Sequence, residues 1–254
     1  MNRPLILGFV FLLFLDCKNT TVKDNDAFIV LKQSSYTTSS INGITVYRLN
    51  ERGRLMNGYY VIYNELSKWE EFRIENGILN GDYITFHPNG NLSSSSSYSQ
   101  GQLHGEDRYY FPSGKLQRIL NFTNGKRTGE IIRYFESGQI RGKSKLKNEE
   151  VIESVTFDII GNIESQSFIK DSRTITQIIT NGKVHKETIS SNYDDYEAIK
   201  LYNEDGSIKH FFRMLNQDEA PIIVELDAEG NELKRINLKD NPQEGMKYMQ
   251  LLGF

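Results

Sequence analysis

The stretch NGILNGDYITFHPNGNL, residues 76–92, decides the fold, because the chain says it again. It returns as GQLHGEDRYYFPSGKL over 101–116 and as GKRTGEIIRYFESGQI over 125–140. Gly77, Gly101 and Gly125 are spaced by 24 residues; so are Gly81, Gly105 and Gly129, and so are Gly90, Gly114 and Gly138. A fixed period of this length marks a repeat architecture, in which each unit is one small supersecondary piece. Apolar positions keep the same beat: Ile62, Phe86, Tyr110 and Tyr134 in one series, Ile74, Tyr98, Phe122 and Leu146 in another.

Each unit reads as a β-hairpin. Residues 82–87, DYITFH, form a strand; Pro88-Asn89-Gly90 makes a tight turn, with proline fixing φ and glycine supplying φ > 0. Residues 92–98 return, and Ser99-Gln100-Gly101, like Thr123-Asn124-Gly125, turns the chain again. Asn-Gly between alternating runs is the strongest short-range hairpin signal. Every connection is short, so every neighbouring pair is expected to be antiparallel. The fold class is therefore all-β: an elongated antiparallel meander growing by two strands, about 10 Å, per repeat. The series Ile74, Tyr98, Phe122, Leu146 is expected to line up as a ladder of packed side chains.

A smaller signature carries the repeat onward: a large apolar residue, three residues, Gly, one residue, then Leu or Ile. It runs from Phe157 through Gly161 to Ile163, from Tyr202 through Gly206 to Ile208, and, stretched by one, from Leu226 through Gly230 to Leu233. Regular repeats thus occupy residues 46–150 and degenerate ones 151–238, with an insertion of about 11 residues expected near 190–195. Residues 239–254 differ. Asp240-Asn241-Pro242 reads as a helix start, and Met246, Met249, Leu251 and Leu252 give it an apolar side. That helix is expected to cover the open edge of the last strand.

The beginning of the chain reads as an export signal. Arg3 supplies a positive start, and Leu5 to Leu15 is an apolar run of 11 residues, too short for a membrane span. Cys17, the only cysteine, follows directly. This segment, residues 1–16, resembles a bacterial lipoprotein signal, and the resemblance makes Cys17 a lipid attachment site; Asp16 departs from the small residue usual there. An ordinary secretory signal or an uncleaved anchor is the alternative. Residues 17–45, polar and serine-rich, read as a tether with one short strand at Phe28 to Leu31. The formal charge of −3 persists after loss of residues 1–16, since Arg3 and Asp16 leave together. There is no basic footprint for nucleic acid.

The repeated text resembles the MORN-repeat-variant family, whose bacterial members include YwqK-type antitoxin-like proteins. It covers 53–146 closely and 150–235 loosely. The resemblance implies a repeat sheet and, through the antitoxin-like members, an antitoxin or immunity protein that neutralises a toxin by direct contact.

No enzyme is expected. The histidines His87, His104, His185 and His210 lack partners at metal-ligand spacing, and the glycines belong to turns rather than to a phosphate loop. No cofactor or small-molecule substrate is expected. The function read here is a protein–protein interaction scaffold in the cell envelope, held to a membrane by its N-terminal lipid. Arg and Tyr dominate interface hot spots, which makes Arg108, Arg118 and Arg133 candidate protein-binding residues, along with Trp69, the one tryptophan. Lys143 and Lys145 are expected beside these arginines on one outward face of residues 77–146.

Overall fold

The computed structural model describes residues 27–65, 67–217 and 220–252. Strands β1 (Phe28–Lys32), β2 (Tyr36–Ile41) and β3 (Ile44–Leu49) lead in, with a 3-10 turn at Gln33–Ser35. The meander begins with β4 (Gly58–Asn64), β5 (Ser67–Glu75), β6 (Ile78–Phe86), β7 (Leu92–Ser99), β8 (Gln102–Tyr110) and β9 (Leu116–Thr123). It continues through β10 (Lys126–Tyr134), β11 (Ile140–Lys147), β12 (Glu150–Phe157), β13 (Ile163–Lys170), β14 (Arg173–Thr180) and β15 (Lys183–Ser190). It ends with β16 (Glu197–Tyr202), β17 (Ile208–Gln217), β18 (Ala220–Leu226) and β19 (Glu232–Asn237), followed by helix α1 (Pro242–Leu252). From β4 to β19 each strand pairs antiparallel with the next, as the repeat requires.

Two kinds of turn alternate. At one end, two-residue turns have both central residues at φ > 0: Asn76-Gly77 at 50° and 83°, Gln100-Gly101 at 50° and 80°, Asn124-Gly125 at 51° and 78°. Their backbone twist matches that of the strands they join. At the other end, the NH of Gly90 donates to the carbonyl of His87 and the NH of His87 to that of Asn91, both at 2.8 Å, and the pattern recurs around Gly114 and Gly138. Here the return strand carries one extra, unpaired residue, Ser93, Gln117 or Arg141, so the register shifts between Thr85 and Phe86, Tyr109 and Tyr110, and Arg133 and Tyr134. The extra length expected near 190–195 is mostly strand. Asn181-Gly182 closes a full hairpin of β14 and β15, and the six residues 191–196 then link β15 to β16.

Three expectations are corrected. First, β1 pairs parallel with β4, Phe28 against Tyr59 through Lys32 against Tyr63. The chain between them does not turn at the sheet end; it crosses the sheet face as the hairpin β2–β3, and only such a crossover lets neighbours run parallel. Residues 28–45, read as part of a tether, therefore hold β1, β2 and the start of β3. Second, the ladder Ile74, Tyr98, Phe122, Leu146 occupies alternate strands; Leu79 lies opposite Ile74 and Leu103 opposite Tyr98, so the series interleaves with a second one.

Third, α1 does not cover the edge of β19. Leu252, Tyr248 and Met249 pack on Ile199, Phe212 and Ile223, so the helix lies across the face of β16–β18. The Asn241 carbonyl accepts from the NH of Gly245 to open it, with Pro242 in the first turn. Gly245 packs against Leu238, where a Cβ would lie 2.5 Å from Cδ2. The reason is apolar area: the face offers Phe212 and Ile223 to bury, whereas β19 carries Glu232, Lys234 and Arg235. Met246 and Leu251 point away and stay exposed.

Candidate interaction face

Directly paired residues share a face, so the registers trace rows across the whole sheet. One row runs Tyr60, Phe72, Tyr83, Ser96, Asp107 and Leu120 from β4 to β9. It resumes at Ile131 and passes through Ser144, Ser154, Ser167, Thr176 and Thr188 to Ile199, Phe212 and Glu225. Both apolar clusters belong to this one face. At one end β2–β3 covers it: Tyr47 and Tyr36 pack on Phe72, with ring centroids 5.4 and 6.1 Å apart, beside Tyr60, Ile62, Ile74 and Leu79. At the other end α1 covers it. Between the caps, β8–β14 carry neither.

Each cap is also tied down by polar groups. The Tyr36 and Tyr83 hydroxyls both donate to the buried Glu70 carboxylate. Burial, and then Glu70, hold both phenols far above the ordinary tyrosine range. The Tyr47 NH donates to the carbonyl of Gly77 at 2.7 Å, and the Gly77 NH to that of Met56 at 2.8 Å, so the hairpin is bonded to a repeat turn. On α1, Tyr248 donates to Glu225 at 3.0 Å, Lys234 pairs with Glu244, and Lys186 Nζ on β15 donates to the carbonyl of Leu252 at 2.6 Å.

Along the middle row of the uncapped stretch, β11–β14 offer the small hydroxyl side chains Ser144, Ser154, Ser167 and Thr176, while Leu120 and Ile131 keep the row apolar at β9 and β10. Thr176 Oγ1 donates to Ser167 Oγ at 3.1 Å, and Thr156 and Ser165 share a bond of 2.7 Å. Asp107, Ile131, Ser144 and Leu146 are buried by their own neighbours, although neither apolar cluster includes them. Ser96 Oγ donates to Asp107 Oδ1 at 2.7 Å. Burial first, and then Asp107, raises the phenols of Tyr98 and Tyr109. The Arg118 guanidinium lies over the Tyr109 ring, 3.8 Å from its centroid, and faces Arg133 directly across β9–β10. Two like charges opposite each other repel, so this spot favours an anionic group.

The residues singled out in the sequence do not converge. Arg118 and Arg133 lie on the capped face, at one end of its open stretch. Arg108 lies on the opposite face, since it pairs with Ile119 while Tyr109 pairs with Arg118, and it is bonded to Glu106. Lys143 and Lys145 share that opposite face, flanking Ser144. Trp69 sits where the β4–β5 register slips between Ile62 and Tyr63, and is 38% exposed. Cys17 lies outside the described residues. Asp107 and Glu70 were missed. Asp107 sits 24 residues after Tyr83 and 24 before Ile131, both on the capped face. A carboxylate inside an apolar series is the signal that was available.

Residues 79–100, 103–124 and 127–148 match the family described as MORN repeat variant. Each match spans one hairpin, β6–β7, β8–β9 and β10–β11, centred on the turn at Gly90, Gly114 or Gly138. MORN repeats are in general protein-interaction or membrane-binding modules, and the repeat fold is typically non-catalytic. The matched hairpins carry Asp107, Arg118 and Arg133, and both caps come from chain outside them. No curated protein matches the chain. Among the described residues, no group of three or more His, Cys, Asp or Glu could hold a metal ion, and no helix is long and apolar enough to cross a membrane.

Proposed function

We propose that this is a non-enzymatic, exported scaffold in the cell envelope, tethered to a membrane through Cys17, that binds a protein partner on the open stretch of its capped face. One observation carries the docking surface. The chain itself covers this face at both ends, with a hairpin and an amphipathic helix, and leaves β8–β14 between them bare. Seven strands at about 4.8 Å give an open stretch about 30 Å wide, the scale of a standard protein interface. Its rim carries the Arg118–Arg133 pair, while the middle row of β11–β14 is of small hydroxyl side chains that let a partner approach the sheet closely. The tether rests on the apolar run before Cys17.

Charge reversal separates the two faces. A photo-cross-linking amino acid at Thr156 should trap a partner in cells, and Arg118→Glu combined with Arg133→Glu should abolish the adduct. Arg108→Glu, on the opposite face, should leave it intact. Loss of the adduct with Arg108→Glu but not with the double reversal would place docking on the other face. Retention of the protein in the membrane fraction after Cys17→Ala would overturn the lipid tether.

A further inference from the structure

The two edges of the sheet are unlike. The outer edge belongs at one end to β19, whose sequence ELKRIN is charged, and at the other to β1, whose sequence FIVLK is apolar. No described strand pairs with the free side of β1. Phe28, Ile29 and Val30 are 59%, 44% and 55% exposed. An exposed apolar edge strand is a template for another strand, and proteins ordinarily blunt such an edge with charge, proline or a covering element. The charges of β19 do this at the far end; at β1 only Lys32 does.

We propose that β1 is a dimerisation edge, and that its occupant is β1 of a second copy of this chain, paired antiparallel about a twofold axis at Val30. Three observations select this occupant. The strand is self-complementary in that register: Val30 faces Val30 of the partner copy, Ile29 faces Leu31, and Phe28 faces the alkyl stem of Lys32, so no like charges meet. The pairing also extends a core already present. Ile29 and Leu31 lie opposite Tyr60 and Ile62, and Leu31 packs on the cluster around Phe72, so the partner's Leu31 and Ile29 continue that apolar face. Finally, the segment preceding β1, KNTTVKDND, offers one apolar side chain, Val22, which makes it a poor cover for Phe28 and Val30.

A head-to-tail alternative, β1 on β19 of the next copy, would not close and would give open fibres. It would also set Glu232, Lys234 and Arg235 against apolar side chains. The twofold arrangement closes on itself and consumes the apolar edge of the described sheet. It joins two sheets into one, with the capped faces of both copies on the same side and their open stretches on either side of the twofold axis.

Two measurements on the full chain in mild detergent test this. Light scattering should give the mass of two copies, and Val30→Lys should halve it, because two lysines would face each other at the axis. Circular dichroism should show the strand content unchanged, since Val30 is 55% exposed. In a Cys17→Ser background, Val30→Cys should oxidise to a covalent dimer, whereas Ile160→Cys, 79% exposed in a distant turn, should not. A one-copy mass for the parent chain would overturn the proposal. So would a two-copy mass that survives Val30→Lys, or cross-linking at Ile160→Cys as fast as at Val30→Cys. Conversion of Val30→Cys to higher oligomers rather than dimers would point to the head-to-tail arrangement and equally reject the twofold.

Discussion

Gly90 and Gly101 hold the same left-handed backbone, with φ of 86° and 80°, in different surroundings. Nothing lies within 4 Å of a Cβ built on Gly90, so Gly90→Ala should cost only the backbone strain, about 1 kcal/mol. A Cβ on Gly101 would lie 2.5 Å from Ile44 Cγ2 on the covering hairpin, so Gly101→Ala should cost about 1–3 kcal/mol more by overpacking. Denaturant unfolding of the two variants measures the difference; equal losses would mean the hairpin is not seated on that turn. Tyrosine titration gives a second test. Tyr36 and Tyr83 are raised, chiefly by burial and then by Glu70, and Tyr59 is pushed up to about 12 by burial and Glu71. A phenol raised in the fold binds its proton more tightly there than in the unfolded chain, where it titrates near 10.0. Its stabilisation is complete below that value and is lost as pH climbs through the folded one. Stability should therefore be flat up to about pH 9.5 and fall steeply above it. Tyr83→Phe should shallow the fall, and an unaltered slope would mean that the Tyr83 phenol is not raised by its burial and Glu70.

At the scale of elements, each hairpin contacts only its neighbours, so stability is a sum of local terms. Truncating Leu252, the last residue of α1 and fully buried against Ile199, Phe212 and Ile223, should cost about 2–5 kcal/mol in the C-terminal cluster alone. Hydrogen exchange should show β16–β18 opening more readily in Leu252→Ala while β4–β6 keep their protection. A uniform loss along the sheet would contradict local coupling. The hairpins were legible in the sequence because turn chemistry is local: Asn-Gly and the recurring Gly90-type turn fix where the chain reverses. The caps were not. Their docking depends on contacts far apart in sequence, such as Tyr36 with Glu70 or Lys186 with the end of α1. In β2, Thr37 to Ser40 offers no apolar alternation to announce which side it buries. Face assignment failed for a related reason. Bulges beside the turns, and again within β5–β6 and β7–β8, change which face a residue meets, so Arg108 and Arg118 could not be separated by counting.

At the scale of the whole molecule, the described residues form a single continuous sheet of 17 strands whose one face is closed at both ends and open in the middle. Such a sheet has no single deep core. The end caps supply two, around Phe72 and Phe212, and leave the centre of that face uncovered. Because successive residues of a strand point to opposite faces, the claim that this face is the docking face has a period of two. On β12, Ser154 and Thr156 lie on the capped face; Glu153 and Val155 lie on the other. A photo-cross-linking amino acid placed in turn at residues 153 to 156 of the full chain, in its native cells, reads that alternation directly. The account predicts partner adducts from 154 and 156 and none from 153 and 155. Adducts from 153 and 155 alone, or equal adducts from all four, would contradict it.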